Sequence, residues 1–242
     1  MNNVAVVMPV YNEAECIGEV LQDWVSVLNS LGINYRLIVL NDGSKDNTAE
    51  VLQKFDDNPC VMIINKKNTG HGPTILQGYH LAVAAAQWVF QVDSDNEIAA
   101  EHFKTLWQER GKYDAIIGIR ANRNQPLARK IISAVSRLVV ALFYGTGVTD
   151  VNCPFRLMRS EVLKEILRRI PEHTFAPNVA ISGFLASSKA RILNQPVPHT
   201  NRQTGEVSIK KWKLLKAALI SFLQIISIRF IAPQVHHSNE YK

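Results

Sequence analysis

The sequence predicts an α/β fold with a mainly parallel sheet flanked by helices. Three observations carry this. Short, wholly apolar runs of strand length alternate with longer segments whose apolar residues recur at threes and fours. The runs are apolar on both faces, as strands covered by helices on each side must be. The polar clusters follow the strands, at the carboxyl ends where open parallel sheets take their ligands.

The elements follow in order. Residues 4–8 are all apolar and form the first strand. Ile17, Val20, Leu21, Trp24, Leu28 and Leu31 then recur at helical spacing, and Gly32 ends that helix. Residues 37–40 make a second strand, 46–55 a second helix and 61–64 a third strand. Pro73 opens a helix that runs to Gln87, at the position where proline suits a helix start. Residues 89–92 and 115–119 are the fourth and fifth strands. The chain is expected to divide into a domain over 1–208 and an amphipathic helical extension with a polar tail over 209–242.

Composition bounds the function. The 242 residues suffice for one large domain with a real core, and 47% hydrophobic with 20% charged content excludes a disordered chain. A net charge of +6 suits an anionic partner such as a nucleotide, a phosphate or an acidic lipid. Basic residues are spread out and no nucleic-acid motif occurs, so no nucleic-acid partner is expected. The three cysteines form no CxxC pattern and read as small buried residues in a reducing compartment. The first apolar run has no basic region before it, so it reads as a strand and not as a leader. No stretch of 18 clean apolar residues occurs, and no transmembrane helix is expected.

Three polar loops carry the candidate chemistry: Tyr11-Asn12-Glu13, Asn41-Asp42-Gly43-Ser44 and Asp93-Ser94-Asp95-Asn96-Glu97. Each follows a strand, so all three should meet at one sheet edge and make one site. Carboxylates at 93, 95 and 97 suit a hard divalent cation, Mg²⁺ or Mn²⁺. The plain alternative is a polar loop after a strand, but the other two loops at the same edge weigh against it. Asp42 before Gly43-Ser44 also fits a simple turn cap. The loop through Gly70-His71-Gly72 offers bare backbone at a helix start, where a phosphate is readily bound. His71 and His80 read as ordinary polar or core histidines.

Together, Val6-Val7-Met8-Pro9-Val10-Tyr11-Asn12-Glu13, Asn41-Asp42-Gly43-Ser44 and Asp93-Ser94-Asp95 resemble the family 2 inverting glycosyltransferases of the GT-A fold. Later segments are similar to the dolichyl- and polyprenyl-phosphate sugar synthase branch: Asn68-Thr69-Gly70-His71-Gly72, Gly118-Ile119-Arg120, Arg129-Lys130-Ile131-Ile132-Ser133, Phe155-Arg156-Leu157 and Arg202-Gln203-Thr204-Gly205-Glu206. The resemblance covers residues 4–210. It implies that Pro9, Tyr11, Glu13 and Asp42 hold the nucleotide, and that Asp93 and Asp95 form the metal and diphosphate motif. It also implies that Glu97 is a further metal ligand. Arg120, Arg129, Ser133 and Arg202 match positions that grip the acceptor phosphate and donor diphosphate. There are two departures. Asn41 stands where the family has an aspartate, and Asn178 where the branch often carries an acidic residue after an aromatic.

No Glu-Asp pair occurs between residues 145 and 185, where relatives that glycosylate hydroxyls place a general base. A hydroxyl must lose its proton as it attacks; a phosphate monoester is already anionic and needs cations instead. The expected reaction is therefore transfer of a sugar, with inversion, from a nucleotide-sugar donor to a polyprenyl phosphate. Asp95, Arg129 and Ser133 are the expected catalytic residues. Asp150 is the one carboxylate that would support the rival, a hydroxyl acceptor. A non-catalytic binding subunit is a second rival, against which the intact aspartates and arginines argue.

Two segments suit a membrane surface. In 129–144, Arg129, Ser133, Ser136 and Arg137 fall on one helical face, with apolar residues around the remainder. In 209–231, Lys210, Lys213, Lys216, Gln224 and Ser227 share a face opposite Leu215, Leu219, Phe222, Ile226 and Phe230. A protein at the cytoplasmic membrane face, peripherally bound, is expected; packing of the second helix on the domain or on another subunit is the alternative.

Overall fold

The computed structural model describes residues 2–121, 127–200 and 211–230, the side chains of 127–129 and 211–217 excepted. A seven-stranded sheet has the order β3-β2-β1-β4-β6-β5-β7. Its strands are β1 (Asn2–Val10), β2 (Tyr35–Asn41), β3 (Val61–Asn65), β4 (Ala86–Gln91), β5 (Ala115–Ala121), β6 (Arg156–Arg159) and β7 (Ile192–Pro198). Neighbours run parallel except β6, which is antiparallel to both β4 and β5. The helices are α1 (Ile17–Ser30), α2 (Thr48–Gln53), α3 (His71–Ala85), α4 (Phe103–Glu109), α5 (Leu127–Phe143), α6 (Ser160–Leu167), α7 (Pro177–Ser187) and α8 (Lys211–Arg229).

β1 lies between β2 and β4, and its apolar run from Val4 to Met8 is fully buried. Alternation of side chains along the strands divides the core into two layers. On one side Trp24 of α1 packs 5.3 Å from Phe90 and 6.2 Å from Phe155. On the other side α3 lies against β1 and β2. A Cβ at Gly78 would come within 2.3 Å of Val7 Cγ1 and 2.9 Å of Leu40 Cδ1. Glycine costs about 1 kcal/mol in a helix interior, and the close helix–sheet approach offsets that cost. Gln91, one residue after Phe90, points to the α3 side, where Tyr79 meets it.

The five strands and the first and third helices stand where the apolar runs placed them. The third helix ends at Ala85, and β4 begins at once at Ala86. β6 and β7 carried no apolar signal. β6 is four residues long with arginine at each end. β7 is a sheet edge containing Pro196 and Pro198, which an edge tolerates because one side of the strand has no ladder to fill.

Candidate active site

The register of β1 with β2 (Val10↔Asn41) and with β4 (Val7↔Gln91) brings the three polar loops to one edge of the sheet. The loops are then tied to one another by side chains. Asn12, held in the left-handed region at φ 54°, donates its backbone N–H to Ser44 Oγ at 2.9 Å and accepts the Lys45 N–H on Oδ1 at 2.8 Å. The Glu13 N–H donates to Thr48 Oγ1 at 2.9 Å, and Glu13 itself is buried. Asn41 donates from Nδ2 to Asn65 Oδ1 at 2.8 Å and accepts the Ser44 hydroxyl on Oδ1 at 2.6 Å. An amide does both jobs at once, which gives a physical reason for asparagine where the family has a carboxylate.

Asp42 is buried and ties down the loop that leads into α3. Its Oδ1 accepts from Lys66 Nζ and from the Thr69 N–H at 2.9 Å, and its Oδ2 accepts the Gly70 N–H at 2.9 Å. Burial alone would raise its pKa. The hydrogen bonds from Lys66 and from the Thr69 backbone outweigh that and hold the carboxyl below its ordinary range. Gly43 makes this closure possible. It sits at φ 69°, and a Cβ there would lie 2.8 Å from the Asn68 backbone nitrogen. The expectation that Gly70-His71-Gly72 presents bare backbone to a phosphate needs correcting. The Gly70 amide is bound to Asp42, and a Cβ on Gly72 would lie 2.3 Å from Thr174 O, so that face is packed.

Beyond β4, Val92, Asp93, Asp95, Glu97, Ile98, Arg120 and Pro154 line one cleft. Asn96 takes the left-handed conformation at φ 55°, and the Glu97 N–H donates to Asp95 Oδ1 at 3.2 Å. Gln91 Nε2 donates to Asp93 Oδ1 at 3.0 Å, and His71 Nε2 lies 3.7 Å from the same oxygen. Glu97 Oε2 is 2.8 Å from His199 Nε2, while His199 Nδ1 is buried with no hydrogen-bond partner among the described residues. Arg120 binds Asp150 through both ends of its fork, Nε to Oδ2 at 2.8 Å and Nη2 to Oδ1 at 2.9 Å. Burial would lower the Arg120 pKa, but its bond to Asp150 raises it. Among the described residues no three His, Cys, Asp or Glu side chains converge as a preformed metal cage.

The sequence matches the glycosyl transferase family 2 model over residues 5–167. The chain belongs to that family. A structural relative is glucosyl-3-phosphoglycerate synthase from Mycobacterium tuberculosis, solved with UDP and also with Mn²⁺, UDP and glucosyl-3-phosphoglycerate. It superposes with TM-score 0.68 at 13% identity, covering 96% of this chain and 81% of that one. At that identity the likeness establishes the GT-A fold. In sequence, the chain is 29% identical over 218 residues to an undecaprenyl-phosphate 4-deoxy-4-formamido-L-arabinose transferase from Edwardsiella ictaluri. That match covers 88% of this chain and 64% of the relative. A transferase of the same name from Salmonella paratyphi B is 26% identical over 239 residues, covering 96% of this chain and 71% of the relative. The chain spans a little under two thirds of the Edwardsiella protein.

Within this family 2 fold the expected residues fall in three groups. Glu13, Asp42, Asp93, Asp95, Glu97 and Arg120 lie at the carboxyl edge, with Pro9 buried at the end of β1 and Tyr11 exposed at the rim. Ser133 is an exposed residue of α5. The Arg129 side chain and all of Arg202 lie outside the described residues. Lys66, Gln91 and His199 were not singled out in the sequence. Lys66 and His199 meet partners 24 and 102 residues away, and nothing local marks them; Gln91 stands two residues before its partner Asp93, as the last residue of an otherwise apolar strand end.

On α5 one residue of the expected polar face needs correcting: Ser136 turns inward and bonds the Ile132 carbonyl at 2.9 Å, while Ile131, Leu138 and Leu142 of the apolar remainder are exposed. α8 packs on the domain through Ala218, Ser221, Ile225 and Ile228. Tyr144 Oη donates to the Ile225 carbonyl at 2.6 Å, Arg229 Nε to the Phe143 carbonyl at 2.9 Å, and the Phe175 N–H to Gln224 Oε1 at 2.8 Å. Leu219, Ile220, Leu223 and Phe230 are left exposed.

The Asp42 clamp sets a pH dependence. A carboxyl whose folded pKa lies below its unfolded value stabilises the fold above that unfolded value, and the contribution is lost as pH falls through the folded one. Asp42→Asn should therefore lower stability at pH 7 by about 2 kcal/mol, the scale of a charged hydrogen bond. The gap from the parent protein should narrow as pH drops below about 4, the ordinary aspartate value. Urea unfolding midpoints of both proteins across that range check it; a gap that stays constant with pH would show that the Asp42 charge contributes nothing.

Proposed function

We propose that this family 2 chain transfers a sugar from a nucleoside-diphosphate donor to a polyprenyl phosphate, with inversion, at the cytoplasmic face of a membrane. The observation that carries the reading is the cleft in which Asp93, Asp95 and Glu97 face Arg120. Hard carboxylate oxygens on one tight turn are the donor set that Mg²⁺ or Mn²⁺ takes. Asp93 and Asp95 would hold the ion, with Glu97 beside them. When bound, the ion supplies positive charge that compensates the departing nucleoside diphosphate. Pro9, Tyr11 and Glu13 line the nucleotide end of the edge, and Asp42 shapes that end through the loop it clamps.

The acceptor is argued from charge. Asp150 is the expected base for a hydroxyl acceptor, yet it is engaged by both ends of the Arg120 fork. A proton taken there would cost a paired, partly buried carboxylate its charge. A phosphate monoester needs no base. One of its oxygens forms the new bond to the anomeric carbon while the bond to the donor diphosphate breaks. Its negative charge must then be held beside the diphosphate, the role proposed for Arg129 and Ser133 on α5, with Arg120 and Arg202 on the donor side. The names of the relatives, undecaprenyl-phosphate sugar transferases, support the same acceptor class.

The test offers the protein a panel of radiolabelled nucleotide sugars with a short polyprenyl phosphate and measures label in the organic phase. One donor should be used, and excess chelator should abolish transfer. Arg129→Ala should lower transfer at least tenfold while leaving slow hydrolysis of the donor unchanged. Normal transfer by Arg129→Ala, together with loss of activity in Asp150→Asn, would point to a hydroxyl acceptor.

The membrane surface is proposed from α5 and α8. These helices pack together and leave Ile131, Leu138 and Leu142 exposed on one and Leu219, Ile220 and Leu223 on the other. Among the described residues no helix is long and apolar enough to cross a membrane. Because α8 also covers core residues, point substitutions on its outer face test the idea more cleanly than removal of the helix. Leu219→Glu combined with Leu223→Glu should leave the melting temperature unchanged and cut sedimentation with anionic liposomes at least tenfold, since each buried leucine contributes about 1.5–3 kcal/mol. Unchanged sedimentation would remove α8 from the interface.

A further inference from the structure

A buried chain of amide and hydroxyl groups leads from the core to Asp93. Tyr79 of α3 donates its hydroxyl to Asn178 Oδ1 at 3.0 Å. Asn178 of α7 donates from Nδ2 to Gln91 Oε1 at 2.8 Å. Gln91, at the end of β4, donates from Nε2 to Asp93 Oδ1 at 3.0 Å. Tyr79 and Gln91 are fully buried and Asn178 is 4% exposed, so none of these groups exchanges its partners for solvent.

The direction of this chain is fixed from its outer end. A carboxylate only accepts, so Gln91 must turn its nitrogen to Asp93 and its oxygen inward. Asn178 must then present its nitrogen to Gln91 and its oxygen to Tyr79. The phenol closes the series as a donor, and burial, which raises its pKa, keeps the proton on it. Reversing any member would set two acceptors face to face in a buried site.

A second observation shows what this arrangement costs. Arg156 is completely buried, and among the described residues its guanidinium donates to neutral acceptors. Nε reaches Cys153 O at 2.8 Å, Nη1 reaches Asn178 O at 3.1 Å and Ser182 Oγ at 3.4 Å, and Nη2 reaches Val151 O at 3.3 Å. A buried cation gains from a nearby opposite charge. An aspartate in place of Asn178 has nearly the same shape and would supply one. An acid here would add a charge beside that guanidinium, whereas the polarity of the chain requires an amide. The carboxylate introduced by Asn178→Asp would accept from both Tyr79 and Gln91. It would turn Gln91 around and point Oε1 at Asp93.

We propose that Tyr79, Asn178 and Gln91 are positioning residues that fix the Asp93 carboxylate for binding a divalent cation together with the donor diphosphate. The inference rests on the proposed role of Asp93. It assigns to Asn178 the reason for its departure from an acidic residue.

The experiment measures Mn²⁺ binding in the presence of saturating UDP, from the electron paramagnetic resonance signal of free Mn²⁺, beside the thermal unfolding of each protein. Asn178→Asp should melt no lower than the parent protein and bind Mn²⁺ at least tenfold more weakly. Gln91→Met, which keeps the shape and removes the donor, should weaken Mn²⁺ to a similar extent and stands in if Asn178→Asp does not fold. Loss of Mn²⁺ affinity without loss of stability is an outcome that a merely structural role does not produce. Mn²⁺ affinity within twofold of the parent in the folded variants would overturn the inference. Asp93→Asn separates the two levels. If it abolishes binding while the relay variants do not, only the positioning role is overturned. If it too leaves binding unchanged, the functional reading fails and the positioning role with it.

Discussion

Four carboxylates, those of Asp42, Asp93, Asp95 and Glu97, gather at the carboxyl edge of one sheet, and the need to hold them there shapes the polar architecture of the molecule. Each is met by a donor. Asp42 takes Lys66 and two backbone amides, Asp93 takes Gln91, Asp95 takes the amide of Glu97, and Glu97 is paired with His199. In the proposed site the carboxylates are thus held by the protein's own donors, which is the condition for electrostatic preorganisation. The positive counterpart is Arg120, itself steadied by Asp150.

The same elements link the edge to the outer face. The backbone of residues 174 and 175 packs against Gly72 at the start of α3, and the Phe175 amide is bound by Gln224 of α8. α8 therefore touches a loop that abuts the helix beginning at His71, whose ring stands near Asp93. The helix proposed for the membrane surface and the proposed metal motif are separated by one packed loop.

Much of this is legible in the sequence, and the parts that are not share a cause. The three loops could be read because each is contiguous and follows an apolar run, so local pattern and sheet topology together place them at one edge. Their partners could not. Asn178 reaches Gln91 across 87 residues and His199 reaches Glu97 across 102, and an asparagine inside a helix or a histidine after a strand has no local signature. β6 was missed because four residues flanked by arginines do not make an apolar run, although Arg156 proves to be a core residue. The inward stripes of the two helices were hidden for a related reason. Periodicity separates polar from apolar residues, but α8 buries the small Ala218 and Ser221 against the domain and leaves leucines outside. The inward stripe joins these small residues to Ile225 and Ile228, and Tyr144 binds the Ile225 carbonyl within it.

The central claim, that this edge binds a cation between its carboxylates and a nucleoside diphosphate, is tested most directly by anomalous diffraction from crystals soaked in Mn²⁺ and UDP. The account predicts one strong anomalous peak bonded to carboxylate oxygens of Asp93 or Asp95 and to the diphosphate of UDP, about 2.2 Å from each. UDP bound at the edge with no metal peak there, or a peak held by other residues, would contradict it.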